Sequence, residues 1–122
     1  MACSLKEAAK QTEIELEDTV SNILGSIKAI KDEMLSLEKK ISAAEQQERT
    51  HLQGSLRRKS DELNDLSDST VLISRDAWIK FNDLAQRRES ESGDPALLEP
   101  VRVLCKRIEV IAADLLCFSL GH

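Results

Sequence analysis

Few residues in this chain have the chemistry to react. The soft or nucleophilic groups are two histidines, His51 and His122, and three cysteines, Cys3, Cys105 and Cys117. A metal site needs such residues paired at ligand spacing, as in Cys-x-x-Cys, and none of these is paired in that way. Cys105 and Cys117 lie about 18 Å apart along one helix, too far for a disulfide, and are expected as reduced thiols. A phosphate-cradling loop needs clustered glycines, whereas Gly25, Gly54, Gly93 and Gly121 are isolated. The many carboxylates are expected to face Lys and Arg in neighbouring turns, with no convergent acid–base pair in a concave pocket. The sequence therefore predicts no catalytic residue, no cofactor and no metal: a binding module, not an enzyme.

Charged clusters give the remaining candidates. Arg57, Arg58 and Lys59, with Arg49 and His51 nearby, could form a positive tip for an acidic partner helix or lipid headgroups. A solvated face opposite Glu45 and Glu48 explains the same residues more simply. Two segments, Arg57-Arg58-Lys59-Ser60 and Arg87-Arg88-Glu89-Ser90, resemble basophilic-kinase substrates, making Ser60 and Ser90 candidate phosphorylation sites. Ser90 is favoured because it falls in a predicted loop. Phosphate there would oppose the dipole at a helix C-terminus and loosen the connection to the next helix. Kinase labelling of Ser90 should lower thermal stability; unchanged melting and binding would set this aside. Arg75, Lys80, Arg102, Lys106 and Arg107 form a further charged set, suited to a globular client.

Composition narrows the class. The chain has 122 residues, one ordinary domain, with 41% hydrophobic and 32% charged residues. A net charge of −5 argues against a dedicated nucleic-acid binder, which needs surplus Lys and Arg to neutralise phosphates. The start, Met1 to Glu7, turns polar at once, unlike a secretory signal. The most apolar run, Val110 to Leu120, is interrupted by Asp114 and falls short of the ~20 residues that span a bilayer. A membrane partner is thus not expected, and a cytoplasmic location, with a nuclear one as the alternative, is. With 2% aromatics, four Gly and two Pro, the chain lacks the turn formers and strand formers of a β protein. A few long helices are expected.

Periodicity supplies those helices. Ser4-Leu5-Lys6-Glu7 has the form of a capping box. After it Leu16, Val20, Ile23, Ile27, Ile30, Met34, Leu37, Ile41 and Ala44 alternate in steps of four and three, the seam of a coiled coil. The first helix is placed at about 5–45. Gln46 to Gly54 is polar apart from Leu52, so a turn is expected within 45–50. The seam resumes through Leu52, Leu56, Lys59, Leu63, Leu66, Thr70, Ile73 and Ala77, then slips by one residue to Phe81 and Leu84. Val71, Trp78 and Ala85 add a second stripe. The second helix is placed at about 51–89, running unbroken past the capping-competent Ser67 and Ser74. Trp78 is expected in or beside the core. Residues 90–94 form the clearest break: Gly93 ends one helix, and Asp94-Pro95 opens the next at about 95–119. Leu97, Val101, Leu104, Ile108, Ile111, Leu115 and Phe118 continue the pattern, flanked by enough apolar residues to suggest an interior helix.

Lengths then suggest an architecture. Two helices of about 60 Å and a third of about 37 Å, joined by short connections, should form one all-α domain over residues 1–122. It is an antiparallel three-helix bundle in which residues 36–65 of the first hairpin project as a two-stranded coiled coil. Leu24, Leu35 and Gly25 fall outside the first seam, where Leu24 and Leu35 are candidate protein contacts. The function expected is a scaffold or adaptor subunit that holds other proteins, helical ones by preference, or further copies of itself. The alternative is a helical regulatory domain acting on one globular client, such as a chaperone cofactor or trafficking regulator.

Overall fold

A computed structural model describes residues 4–120 of the chain, so Cys3 and His122 lie outside the described residues. All regular elements there are helical. Helix α1 runs Leu5–Ala43, α2 runs Gln46–Glu91, a 3-10 turn covers Pro95–Leu98, and α3 runs Glu99–Leu120. The three helices pack against one another. None of the described helices is long and apolar enough to cross a membrane.

The start of α1 follows its local sequence. The Ser4 hydroxyl accepts from the Glu7 amide at 3.2 Å, satisfying one free donor of the first turn. Its far end differs from expectation. The break falls at Ala44 and Glu45, both in extended conformations, and α2 starts at Gln46. That is five residues before the anticipated start. Loss of apolar periodicity marks where burial stops; it does not stop a helix. Gln46, Gln47, Glu48 and Arg49 are good helix formers in solvent. Arg49 also donates from Nη2 to the Ala44 carbonyl at 3.1 Å, tying the new helix to the loop it leaves.

Helix α2 is unbroken for 46 residues and ends in a Schellman arrangement. The Gly93 amide donates to the Arg88 carbonyl at 2.9 Å and the Ser92 amide to Glu89 at 3.4 Å. The left-handed residue is Ser92, at φ 52°, not Gly93 as the sequence suggests. Glycine serves at position 93 for space: a Cβ built there would sit 2.5 Å from Cδ2 of the buried Leu5. Asp94 then caps the 3-10 turn, its Oδ1 accepting from the Ala96 amide at 3.0 Å, with Pro95 first in the turn as expected.

The seam of α1 is its inward face. Leu16, Val20, Ile23 and Met34 are buried, and the other seam positions are half-buried. The main core joins Leu16 and Val20 to Ala77 and Leu84 of α2 and Val101, Leu104, Cys105 and Ile108 of α3. A smaller cluster around Met34, Leu63 and Leu115 continues it. Between 35 and 62 no residue is fully buried.

The inner face of α2 departs from expectation. It is widened by Ser67 and Ser74, which lie in mid-helix beside Thr70 and Ala77, all four buried. Val71, assigned to a widening stripe, is 46% exposed instead. At Ala77 helix α3 comes close enough for the Cys105 Sγ to reach the backbone carbonyl, at 3.3 Å. The Thr70 hydroxyl donates to the Leu66 carbonyl at 2.6 Å, which satisfies a group with no exposure at all. Trp78 is half-buried and meets Phe81 edge-to-face at 5.6 Å.

The cap chemistry makes a test. A left-handed serine costs about 1–2 kcal/mol, of which glycine's extra unfolded-state freedom returns part. Ser92→Gly should therefore raise stability by about 1 kcal/mol, some 3–6 °C in melting temperature for a chain of this size. Gly93→Ala should lower it, because the new methyl must displace Leu5. A thermal melt decides both, and a lower melting point for Ser92→Gly would contradict the cap geometry.

Candidate interaction surface

The three residues of the basic triplet lie in different surroundings. Lys59 sits on the seam, where its ammonium pairs with Glu33 of α1 at 2.6 Å and Glu62 at 3.2 Å. The hydrogen bond to Glu33, then that to Glu62, holds its pKa above the ordinary lysine value. Arg58 is exposed and donates to the Ser55 hydroxyl at 3.1 Å. Arg57 lines a shallow cleft with Ser60, Met34 and Glu38. Arg49 is engaged at the loop, leaving His51 exposed on the first turns of α2. Ser60 is half-buried; Ser90 is exposed but lies in the last turn of α2, not in a loop.

The charged set on α2 and α3 is partly engaged by the chain's own carboxylates. Arg102 holds Glu99 through two hydrogen bonds, at 2.6 and 3.1 Å, and the guanidinium keeps the Glu99 carboxyl below its ordinary pKa. Lys106 pairs with Glu109 at 3.0 Å and Lys80 with Glu15 of α1 at 3.7 Å. Arg75 and Arg107 are exposed. Exposed pairs of this kind contribute about 0–1 kcal/mol each.

Large apolar side chains are exposed on all three helices: Ile14, Leu24 and Leu35 on α1, Val71, Leu72 and Ile79 on α2, and Val103, Val110 and Leu116 on α3. Leu24 is 40% exposed and Leu35 is 55% exposed on α1. Helix α3 is not the interior helix its composition suggests. Its inner face is buried, but Val103 and Val110 are about half exposed, and Cys117 is exposed one further heptad along. Leu24, Leu35 and Val103 border clefts that follow one another between α1 and α3 as a trough, and Val110 and Cys117 lie on the adjoining outer face of α3. Leu24 shares a cleft with Ile111 and Asp114. Leu35 shares another, of about 300 Å³, with Met34 and Phe118. Val103 borders a third with Glu13, Glu17 and Pro100. A fourth, at the start of both helices, joins Lys6 and Lys10 to Ala96 and Pro100. Lys31 leans over the Phe118 ring, 4.7 Å from its centroid. Outside its own helix turn, no atom of the described residues comes within 4 Å of where a Cβ on Gly25 would lie, so packing within the chain does not require that glycine.

Sequence inspection marked Leu24 and Leu35 but missed the α3 wall, counting Val103, Val110 and Cys117 among residues flanking an interior seam. The signal was available. The three recur at intervals of seven on the side opposite Val101, Ile108 and Leu115. Among the described residues, no three His, Cys, Asp or Glu side chains come together in a way that could hold a metal ion. No family description, curated protein or solved structure matches the chain.

The two described cysteines occupy opposite environments. Cys105 is fully buried, its Sγ donating to the Ala77 carbonyl at 3.3 Å, whereas Cys117 is exposed. Burial pushes the Cys105 thiol from 9.0 up to about 11. The stability gained by keeping it protonated is intact below pH 9 and is lost as the pH rises through about 11. Denaturant midpoints measured across that window should fall, and Cys105→Ala should remove that part of the slope. In the native protein at neutral pH, an alkylating reagent should modify Cys117 and spare Cys105.

Proposed function

We propose that this chain is a non-enzymatic protein–protein interaction module, a scaffold or adaptor that holds a helical partner in the α1–α3 trough. The observation that carries this is the trough itself. Leu24, Leu35 and Val103 expose apolar surface along its two walls, and Val110 continues it on the adjoining outer face of α3, where a further helix would bury it. The scaffold beneath is taken to be an antiparallel coiled-coil hairpin of α1 and α2 with α3 laid along part of it. The interhelical pairs Glu33–Lys59 and Glu15–Lys80 support that arrangement, since the α2 partner rises in number as the α1 partner falls. The half-buried stripe of Leu37, Ile41, Leu52 and Leu56 suits a two-stranded projection. A reducing, cytoplasmic setting suits its thiols. Client binding through Arg102, Lys106 and Lys80 is the weaker reading, because carboxylates of this chain already engage all three.

Leu24→Glu with Leu35→Glu tests the trough. Both side chains are exposed, so helix content should be unchanged, while placing charge at an apolar contact should weaken partner binding by about 2 kcal/mol or more, some 30-fold. Cross-linking followed by mass spectrometry, comparing wild type with the double variant in lysate, reads the loss. Retention of the same partners by the variant would remove the trough from the account.

A further inference from the structure

We infer that the occupant of this trough is the same trough of a second copy, antiparallel to the first. The two copies are related by a two-fold axis that crosses α1 at Leu24 and α3 at Val110. The inference rests on the interaction-module reading and adds the identity of the partner. On α1, the residues Lys10, Glu17, Leu24, Lys31 and Glu38 recur at intervals of seven, and every one of them lines the trough. Their charges reverse about Leu24. Turning the stripe end for end on that residue sets Lys10 against Glu38 of the other copy, Glu17 against its Lys31, and Leu24 against Leu24. Each charged pair then occurs twice.

Helix α3 repeats the arrangement independently. Val103, Val110 and Cys117 are spaced evenly about Val110, so reversal sets Val110 on Val110 and Val103 on Cys117 of the other copy. Arg107 and Asp114, on the side of this stripe nearer α1, then come within one residue, about 1.5 Å of rise, of facing each other, twice. Neither takes part in an ion pair among the described residues.

One axis can serve both helices only if the two centres lie at the same level of the bundle. They do: Leu24 shares its cleft with Ile111, the neighbour of Val110. Along the trough, α1 and α3 rise together, from Lys10 beside Pro100 to Glu38 beside Phe118. The area is adequate. About 42 Å of α1 and about 33 Å of α3, each offering a strip about 10 Å wide, give on the order of 750 Å² per copy, the size of a specific interface. Self-complementarity about one axis is what a two-fold dimer requires. In the single chain Lys10 pairs with Glu13 at 3.3 Å and Lys31 leans on Phe118, exposed contacts that the dimer would exchange for those across the axis.

Sedimentation equilibrium of the full chain tests this. The wild type should be a dimer whose dissociation constant rises with salt. Glu17→Lys meets Lys31 of the other copy twice and should raise that constant about tenfold. Adding Lys31→Glu should restore it to within about threefold, the reciprocal-swap signature of facing charges. Glu17→Lys with Lys10→Glu has the same net charge as that swap but should give no recovery. Circular dichroism checks that each variant stays helical. A wild type that is monomeric at every concentration overturns the inference, as does a dimer indifferent to Glu17→Lys or a swap without recovery. A monomeric wild type whose lysate partners still depend on Leu24 and Leu35 would refute the second copy alone. Partners independent of those leucines would refute the trough as well.

Discussion

Hiding one apolar line from water organises everything else in this molecule. Leu16, Val20, Ile23 and Met34 lie on a single face of α1, and each must find apolar neighbours along a rod some 60 Å long. Only other rods laid alongside can do that. Helix α2 covers the line for its whole length. Helix α3, at 22 residues, covers only part of it. Full burial therefore follows the reach of the third helix, and α1 and α2 beyond it make do with half-buried contacts. The polar chemistry fits around that line. Lys59 enters the seam only because Glu33 and Glu62 meet its ammonium at the edge. Thr70 enters because a backbone carbonyl one turn back accepts its proton.

Close approach is the second theme. Ser67, Thr70, Ser74 and Ala77 put small side chains on the inner face of α2, and Val101, Leu104 and Ile108 of α3 supply bulk to the main core. This has a local cost: the Ser67 hydroxyl is buried with no hydrogen-bond partner among the described residues. At the α2–α3 connection, room for Leu5 is kept by a glycine that needs no unusual backbone, while a serine beside it takes the strained conformation.

How much of this could be read from residue order varies with the physics involved. The α1 seam was legible because burial against a neighbour imposes a period, and all its members are buried or half-buried. The Asp94-Pro95 start was legible because capping is a local interaction. The end of α1 was not, since Ala44 and Glu45 carry no turn signature and the polar stretch after them is helical on propensity alone. Nor was the role of Ser67 and Ser74, whose burial depends on how near another helix comes. Of the trough, the α1 leucines were visible as outliers from a seam. The α3 wall was hidden by its own apolar abundance, in which inward and outward stripes look alike until a neighbour picks one.

The uneven covering of α1 and α2 also sets a gradient in time. Backbone amides beside Val101, Cys105 and Ile108, where side chains have essentially no exposure, can exchange with solvent only when the bundle opens as a whole. Between 35 and 62 no side chain of α1 or α2 is fully buried, and there the two helices can fray while the rest stays shut. Protection against deuterium should thus decline toward the Ala44–Glu45 connection, leaving a stiff base and a breathing tip in one continuous pair of helices.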